Sequence, residues 1–274
     1  MPLSQIVQRV PPVYEKPPPF LARWFPPVGP PSLSQVETEG TAVVSVPGRY
    51  CMTHLVEGPE SLVLVDVGSV ADIPRIEAAV DWLGKPVSLI IPSHLHFDHI
   101  MGIEAAAKHF DAKIALSQVA HTFVSNGKRL RFVRGLSFPT AVRVWVWQGA
   151  PFFAAEDMPG GFRFGFPWSR NPFGALDNRV LRDGQAVPGL DGWLLLETPG
   201  HADDAVCLYN PAGGLLIAGD TVRNYQGGEW NEIMTDPAAY ENTIARLEAL
   251  DVQAVFPGHG PVLVGQGIMQ RLHF

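Results

Sequence analysis

A chain of 274 residues, 46% apolar and 17% charged, is long enough to bury the core of one large or two small domains and is ordinary in composition for a compact enzyme. With a formal net charge of -7 and a pI of about 5.7, it offers no basic face to neutralise a phosphate backbone, so long nucleic acid is excluded as an expected partner. Residues 1–12 show no basic leader with an apolar run and cleavage site, and no stretch reaches bilayer-spanning length, so a cytoplasmic location without a membrane span is expected.

Residues 11–31 carry Pro11, Pro12, Pro17, Pro18, Pro19, Pro26, Pro27, Pro30 and Pro31 among Phe20, Trp24 and Phe25. Proline at that density bars a helix. The aromatics favour an extended arm, residues 1–40, lying on its own domain or on a neighbouring subunit, over a partly disordered tail. The rest, 41–274, reads as one domain. It opens with strands at 41–46, 50–56 and 61–67, separated by Gly- and Pro-containing turns, which is an antiparallel start.

A helix over 71–83, a short buried strand at 87–91, a second helix over 100–110 and a strand at 113–116 follow, so helices and strands now alternate. An insertion at about 117–186 has no readable secondary structure. It holds Trp145, Trp147, Phe152, Phe153, Phe162, Phe164, Phe166, Trp168 and Phe173 among many glycines and prolines, and reads either as a lid or pocket wall for an apolar substrate or as a subunit contact, including one in a homodimer, or an extra core layer. Beyond it come strands at 192–197, 205–209 and 214–218, a helix over 237–250 and a buried strand at 254–256. Cys51 and Cys207 fall in apolar strand-like runs and read as core residues, not as a disulfide framework.

The segment that carries chemistry is Ser93-His94-Leu95-His96-Phe97-Asp98-His99, directly after the apolar run 87–91 and Pro92. In an extended loop His94 and His96 project to one side, and the turn into the next helix redirects Asp98 and His99. Three later segments repeat the design of apolar run, Pro or Gly turn and ligand-type residue, ending at His201, Asp220 and His259. Strand ends of one sheet lie close together, which is where open α/β sheets place their sites. Seven ligand-type side chains are thereby expected to converge.

The HxHxDH loop, followed in order by His201, Asp220 and His259 and preceded by Asp66 at the end of the run Leu62-Val63-Leu64-Val65, resembles the pattern of the metallo-β-lactamase superfamily. The resemblance spans about residues 41–262. It implies an α/β fold, a four-layer αβ/βα sandwich of two mixed β-sheets flanked by helices. It also implies His94, His96 and His201 on a first metal, Asp98, His99 and His259 on a second, and Asp220 bridging them. Nitrogen and oxygen donors suit two zinc ions, with iron or manganese also compatible. Asp66 is implied to fix a neighbouring histidine or loop.

The expected chemistry is hydrolysis of a small ester, lactone or thioester by a metal-bridging hydroxide, with Asp98 as the catalytic residue orienting the nucleophile. The alternatives are phosphodiester cleavage at the same site and a mononuclear iron oxidoreductase similar to persulfide dioxygenases. The intact Asp220 and His96 favour the lactonase- and glyoxalase-like branch over the classical antibiotic hydrolases and the flavodiiron type. His54, His109, His121 and His273 read as core or surface residues. Asp203 and Asp204 depart from the small residues usual after the histidine matching His201, and read either as acidity that tunes metal affinity or captures a polar substrate group, or as turn residues bonded to local backbone. Arg223, Asn224 and Tyr225 are candidate substrate contacts by position alone.

Overall fold

A computed structural model of the chain describes residues 33–38, 40–126, 138–148, 155–157 and 178–274. The proline-rich stretch 11–31 and Phe152, Phe153, Phe162, Phe164, Phe166, Trp168 and Phe173 lie outside the described residues.

The first sheet has seven strands in sequential order. They are β1 (Ser34–Thr38), β2 (Thr41–Pro47), β3 (Met52–Glu57), β4 (Leu62–Val65), β5 (Val87–Ile91), β6 (Lys113–Ser117) and β7 (Asn178–Leu181). β1 to β4 pair antiparallel, and β4 to β7 pair parallel. The parallel half is reached by crossovers through α1 (Ile73–Leu83) and then α2 (Phe97–Ile100) and α3 (Ile103–His109). After β6 come α4 (Gln118–Asn126) and α5 (Phe138–Gln148), both within the segment whose pattern is unreadable from sequence.

The second sheet is built from β8 (Leu194–Glu197), β9 (Val206–Asn210) and β10 (Leu215–Gly219). A small ribbon of β11 (Val222–Arg223) and β12 (Glu229–Trp230) precedes α6 (Pro237–Glu248), after which β13 (Ala254–Pro257) and β14 (Leu263–Val264) complete that sheet. Its order is β14-β13-β10-β9-β8, and only β10 and β13 pair parallel.

Alternation along the strands sorts the side chains into layers. Leu62 and Leu64 of β4 face α1, α3 and α4, packing with Ile76, Ile103 and Ala120. Val63 and Val65 face the other way, onto Leu208, Ile217 and Phe256 of the second sheet. The outer face of that sheet, with Leu216, Ala218 and Val255, is covered by Tyr240 and Leu247 of α6. Helices, sheet, sheet and helix thus make four layers, each apolar face buried against a neighbour.

Two of the departures from the pattern reading have a local cause. The helix expected over 100–110 starts earlier, at α2, and breaks before α3. At Gly102 the amide bonds the Val67 carbonyl at 2.9 Å, and an added Cβ would come within 2.6 Å of the Ser69 carbonyl, so close backbone packing sets the break. The strand β1 has no counterpart in the reading, because Ser34–Thr38 buries only Val36 and its pattern carries little signal. Among the described residues no helix is long and apolar enough to cross a membrane.

Candidate metal centre

Five strand ends feed one site. β4 delivers Asp66, β5 the loop 93–99, β8 His201, β10 Asp220 and β13 His259. Parallel pairing of β4 with β5 and of β10 with β13 puts their C-terminal ends on a common edge, so the side chains meet across the seam between the sheets.

His94, His96 and His201 form one group of donors, Asp98, His99 and His259 another, and His94, His99 and Asp220 a third that joins them; within each, the donor atoms lie within 4.8 Å of one another. His96 Nδ1 stands 2.9 Å from His94 Nε2 and 3.1 Å from His201 Nε2. Nitrogens bound to one tetrahedral zinc at 2.0–2.1 Å are about 3.3 Å apart, so the spacing fits such a shell. The outer nitrogens fix the tautomers. His201 Nδ1 donates to the Ile233 carbonyl at 2.6 Å, and His94 Nδ1 donates to Ser93 Oγ at 3.0 Å. Both Nε2 atoms are then bare lone pairs, and one proton on His96 could bond only one of them, whereas a cation satisfies all three.

Asp220 stands between the groups. Its Oδ1 is 3.2 Å from His99 Nε2 and 3.3 Å from His259 Nε2, and its Oδ2 is 3.5 Å from His201 Nε2. His259 Nε2 also lies 3.7 Å from Asp98 Oδ2. His99 Nδ1 donates to Asp66 Oδ2 at 2.8 Å and His259 Nδ1 to Gln148 Oε1 at 2.6 Å, which turns both Nε2 atoms inward. His99 Nε2 and Asp220 Oδ1 are buried and make no hydrogen bond. Buried polar atoms left this way are costly, and a metal ion is the partner that such a donor set fits.

The electrostatics agree. Burial pushes His94, His96 and His201 below the ordinary imidazole value, the first two far below, so all three stay neutral and can offer a lone pair. Burial opposes ionisation of Asp220, yet His259 and His99 outweigh it and hold the carboxyl well below the usual range. Burial also lowers His99, but Asp220, Cys51, Asp66 and Asp98 together raise it well above its ordinary value, so the metal-free ring carries a proton on Nε2 toward Asp220 that a bound cation would displace to expose the lone pair. The cluster therefore carries an excess of negative charge that draws a cation.

Supporting contacts hold the donors in place. Asp66 accepts from the Ser93 amide at 2.6 Å and from Ser93 Oγ at 2.7 Å as well as from His99. Its backbone lies in the left-handed region at φ 60, a strained conformation that aims the carboxylate at the loop. Gly258 leaves room for the cluster: a Cβ there would collide with Asp220 Oδ1 and come within 2.9 Å of His99 Cε1.

Four of these supports escape sequence reasoning: Trp145, Gln148, Asn231 and the role of Asp204. Trp145 Nε1 donates to Asp98 Oδ2 at 3.1 Å, and Asn231 Nδ2 donates to the Asp220 carbonyl at 2.9 Å. Trp145 reads only as part of the aromatic insertion, and Asp204 leaves a trace as an acidic departure after His201. It is buried, with its carboxyl pushed up to about 7 by that burial, and its Oδ2 accepts the Leu95 amide at 2.9 Å.

The other weighed residues are ties of the scaffold. Arg223 pairs with Glu229 and Glu232, Asn224 Nδ2 holds the Pro261 carbonyl, and Tyr225 packs edge-on against Trp147. His54 is buried between Ser45 Oγ and the Pro257 carbonyl. His109 meets Glu77 at the surface, and His121 and His273 also lie outside the cluster.

The sequence profile of the Metallo-beta-lactamase superfamily matches residues 46–259. The probable metallo-hydrolase YqjP of Bacillus subtilis (strain 168) is 24% identical over 260 residues, covering 85% of this chain and 76% of that protein. The acyl-coenzyme A thioesterase MBLAC2 of Homo sapiens is 24% identical over 229 residues, covering 77% and 74%. Among solved structures, the metallo-beta-lactamase family protein TTHA1429 from Thermus thermophilus superposes with a TM-score of 0.57 at 23% identity, covering 85% of this chain and 77% of that one. TTHA1623 in a di-iron-bound form gives 0.56 at 24% identity, covering 84% and 98%. The profile match runs from the second strand of the first sheet through the last donor residue, and with it the chain belongs to the metallo-β-lactamase superfamily of metallo-hydrolases.

Proposed function

We propose that the protein is a dinuclear metal-dependent hydrolase of a small carboxylic ester, lactone or thioester. The observation that carries this reading is Asp220, whose two oxygens face different donor groups, Oδ1 toward His99 and His259 and Oδ2 toward His201. His94, His96 and His201 would hold one ion, Asp98, His99 and His259 the other, and Asp220 both. Zinc suits these donors, and the di-iron form of TTHA1623 keeps iron beside it. When bound, such a pair supplies a water acidified to near neutral pH and positive charge for a developing oxyanion.

The chain's own part follows from its hydrogen bonds. Neutral, desolvated imidazoles keep their lone pairs turned inward, which excludes competing protons from the donor atoms. Asp98 is held at Oδ2 by the Trp145 indole, so its carboxylate keeps one orientation and can take the proton of an attacking water. The likeness to the thioesterase MBLAC2 supports a thioester among the three substrate classes. A mononuclear iron oxidoreductase is less well supported, because two donor groups, not one, surround Asp220.

The test is metal analysis joined to a panel of thioesters, lactones and esters, run on wild type and His96→Ala. Two metals per chain are expected, with turnover abolished by chelator and in the variant. Two bound metals with no turnover across the whole panel would overturn the substrate reading, and a chain that takes up no metal would overturn the mechanism.

A further inference from the structure

Trp145 and Gln148 stand three residues apart on one face of α5, and each ends on a donor residue of the second group. The Trp145 indole N–H bonds Asp98 Oδ2, and Gln148 Oε1 accepts from His259 Nδ1. The first group has different supports. His94 leans on Ser93 Oγ, and His201 on the Ile233 carbonyl, neither of them on α5.

The helix is seated by aromatic edges. Trp145 meets Phe97 with ring centroids 5.2 Å apart and Tyr50 at 6.2 Å, and Trp147 meets Tyr225 at 5.1 Å. Seating α5 therefore places both polar groups at once. Gln148 is 1% exposed, and its Nε2 is buried with no hydrogen-bond partner. The amide thus leaves its own N–H groups unsatisfied in order to present oxygen to His259. That choice fixes the His259 tautomer and sharpens its Nε2 as a donor.

We propose that α5 sets the affinity of the second metal position without setting that of the first, through Trp145 acting on Asp98 and Gln148 acting on His259. The inference rests on the metal reading above. The two residues are positioning residues, acting through the donors they hold. A consequence is that the two positions fill in separable steps, with the seating of one helix governing only the second.

Zinc titration in competition with a chromophoric chelator tests this on the whole chain. The wild type is expected to take up two equivalents with two constants. Trp145→Phe, which keeps the ring packing but loses the N–H, and Gln148→Leu should each weaken one step by about 10- to 100-fold and leave the other unchanged. Gln148→Glu offers a carboxylate to His259 Nδ1–H and should tighten that same step by about tenfold, a gain that damaged folding cannot produce. Equal changes in both steps, no change in either, or weakening by Gln148→Glu would overturn the inference while a wild type with two equivalents leaves the metal reading standing. A wild type that takes up no zinc would overturn both.

Discussion

Asp204 and Leu95 join the two halves of the donor set: the Asp204 carboxylate accepts the Leu95 amide at 2.9 Å across 109 residues of chain, at a point between His94 and His96. Asp204→Ala would strand that amide in the interior, at a cost of about 1–3 kcal/mol, and loosen the loop. Asp204→Asn keeps an acceptor and should recover most of the loss. Urea unfolding of the three proteins at one pH checks the order, and an alanine variant as stable as wild type would refute the anchoring role.

The strained Asp66 gives a second prediction. Asp66→Asn tolerates the left-handed backbone and keeps the size of the side chain, but it loses the anionic acceptor shared by Ser93 and His99. The variant should fold with a circular dichroism spectrum like the wild type's and bind metal about 10- to 100-fold more weakly. Unchanged metal affinity would mean that the carboxylate serves the loop alone.

Gly258→Ala should separate folding from loading. The added methyl meets Asp220 and His99 and comes within 3.0 Å of the Gly219 backbone at the end of β10, so the thermal unfolding midpoint in the presence of chelator should fall modestly, and by less than metal binding does. Metal content after dialysis should drop by at least one equivalent and turnover by about tenfold or more. Full metal content in this variant would show that the site has slack at Asp220.

His54 predicts a pH dependence of stability. Burial lowers its pKa to about 4 from the ordinary 6.5, outweighing the hydrogen bond to the Pro257 carbonyl, which acts in the opposite direction; the neutral ring sits between Ser45 Oγ and that carbonyl. The unfolded chain binds a proton that the folded chain refuses. Its stabilising contribution is therefore complete above pH 6.5 and is lost as pH falls toward 4, by about 3 kcal/mol in all. The gap in unfolding free energy between wild type and His54→Gln, measured in chelator at several pH values, should shrink across that window. A gap that stays constant would assign the effect to other groups.

The donors were legible because each follows a local rule. HxHxDH is a contiguous string, and His201, Asp220 and His259 each close an apolar run through a Gly- or Pro-containing turn. The four layers follow from the same alternation: Val63 and Val65 against Leu62 and Leu64 already divide one strand between two cores. Trp145 and Gln148 were not legible, because nothing near them in the chain marks them as partners of Asp98 and His259. Their signal is tertiary and arises only when α5 is seated on Phe97 and Tyr50. The break at Gly102 is likewise decided by the approach of Val67 and Ser69, which no helical periodicity records.

The loop 93–99 belongs to one sheet and His201, Asp220 and His259 to the other, so neither half of the molecule owns a complete coordination shell. On the metal reading, the ions act as a rivet through the seam. The apolar layer of Val63, Val65, Leu208, Ile217 and Phe256 keeps the sheets together without them, so stripping should loosen only the tips that carry the donors, and amide exchange there should slow on loading.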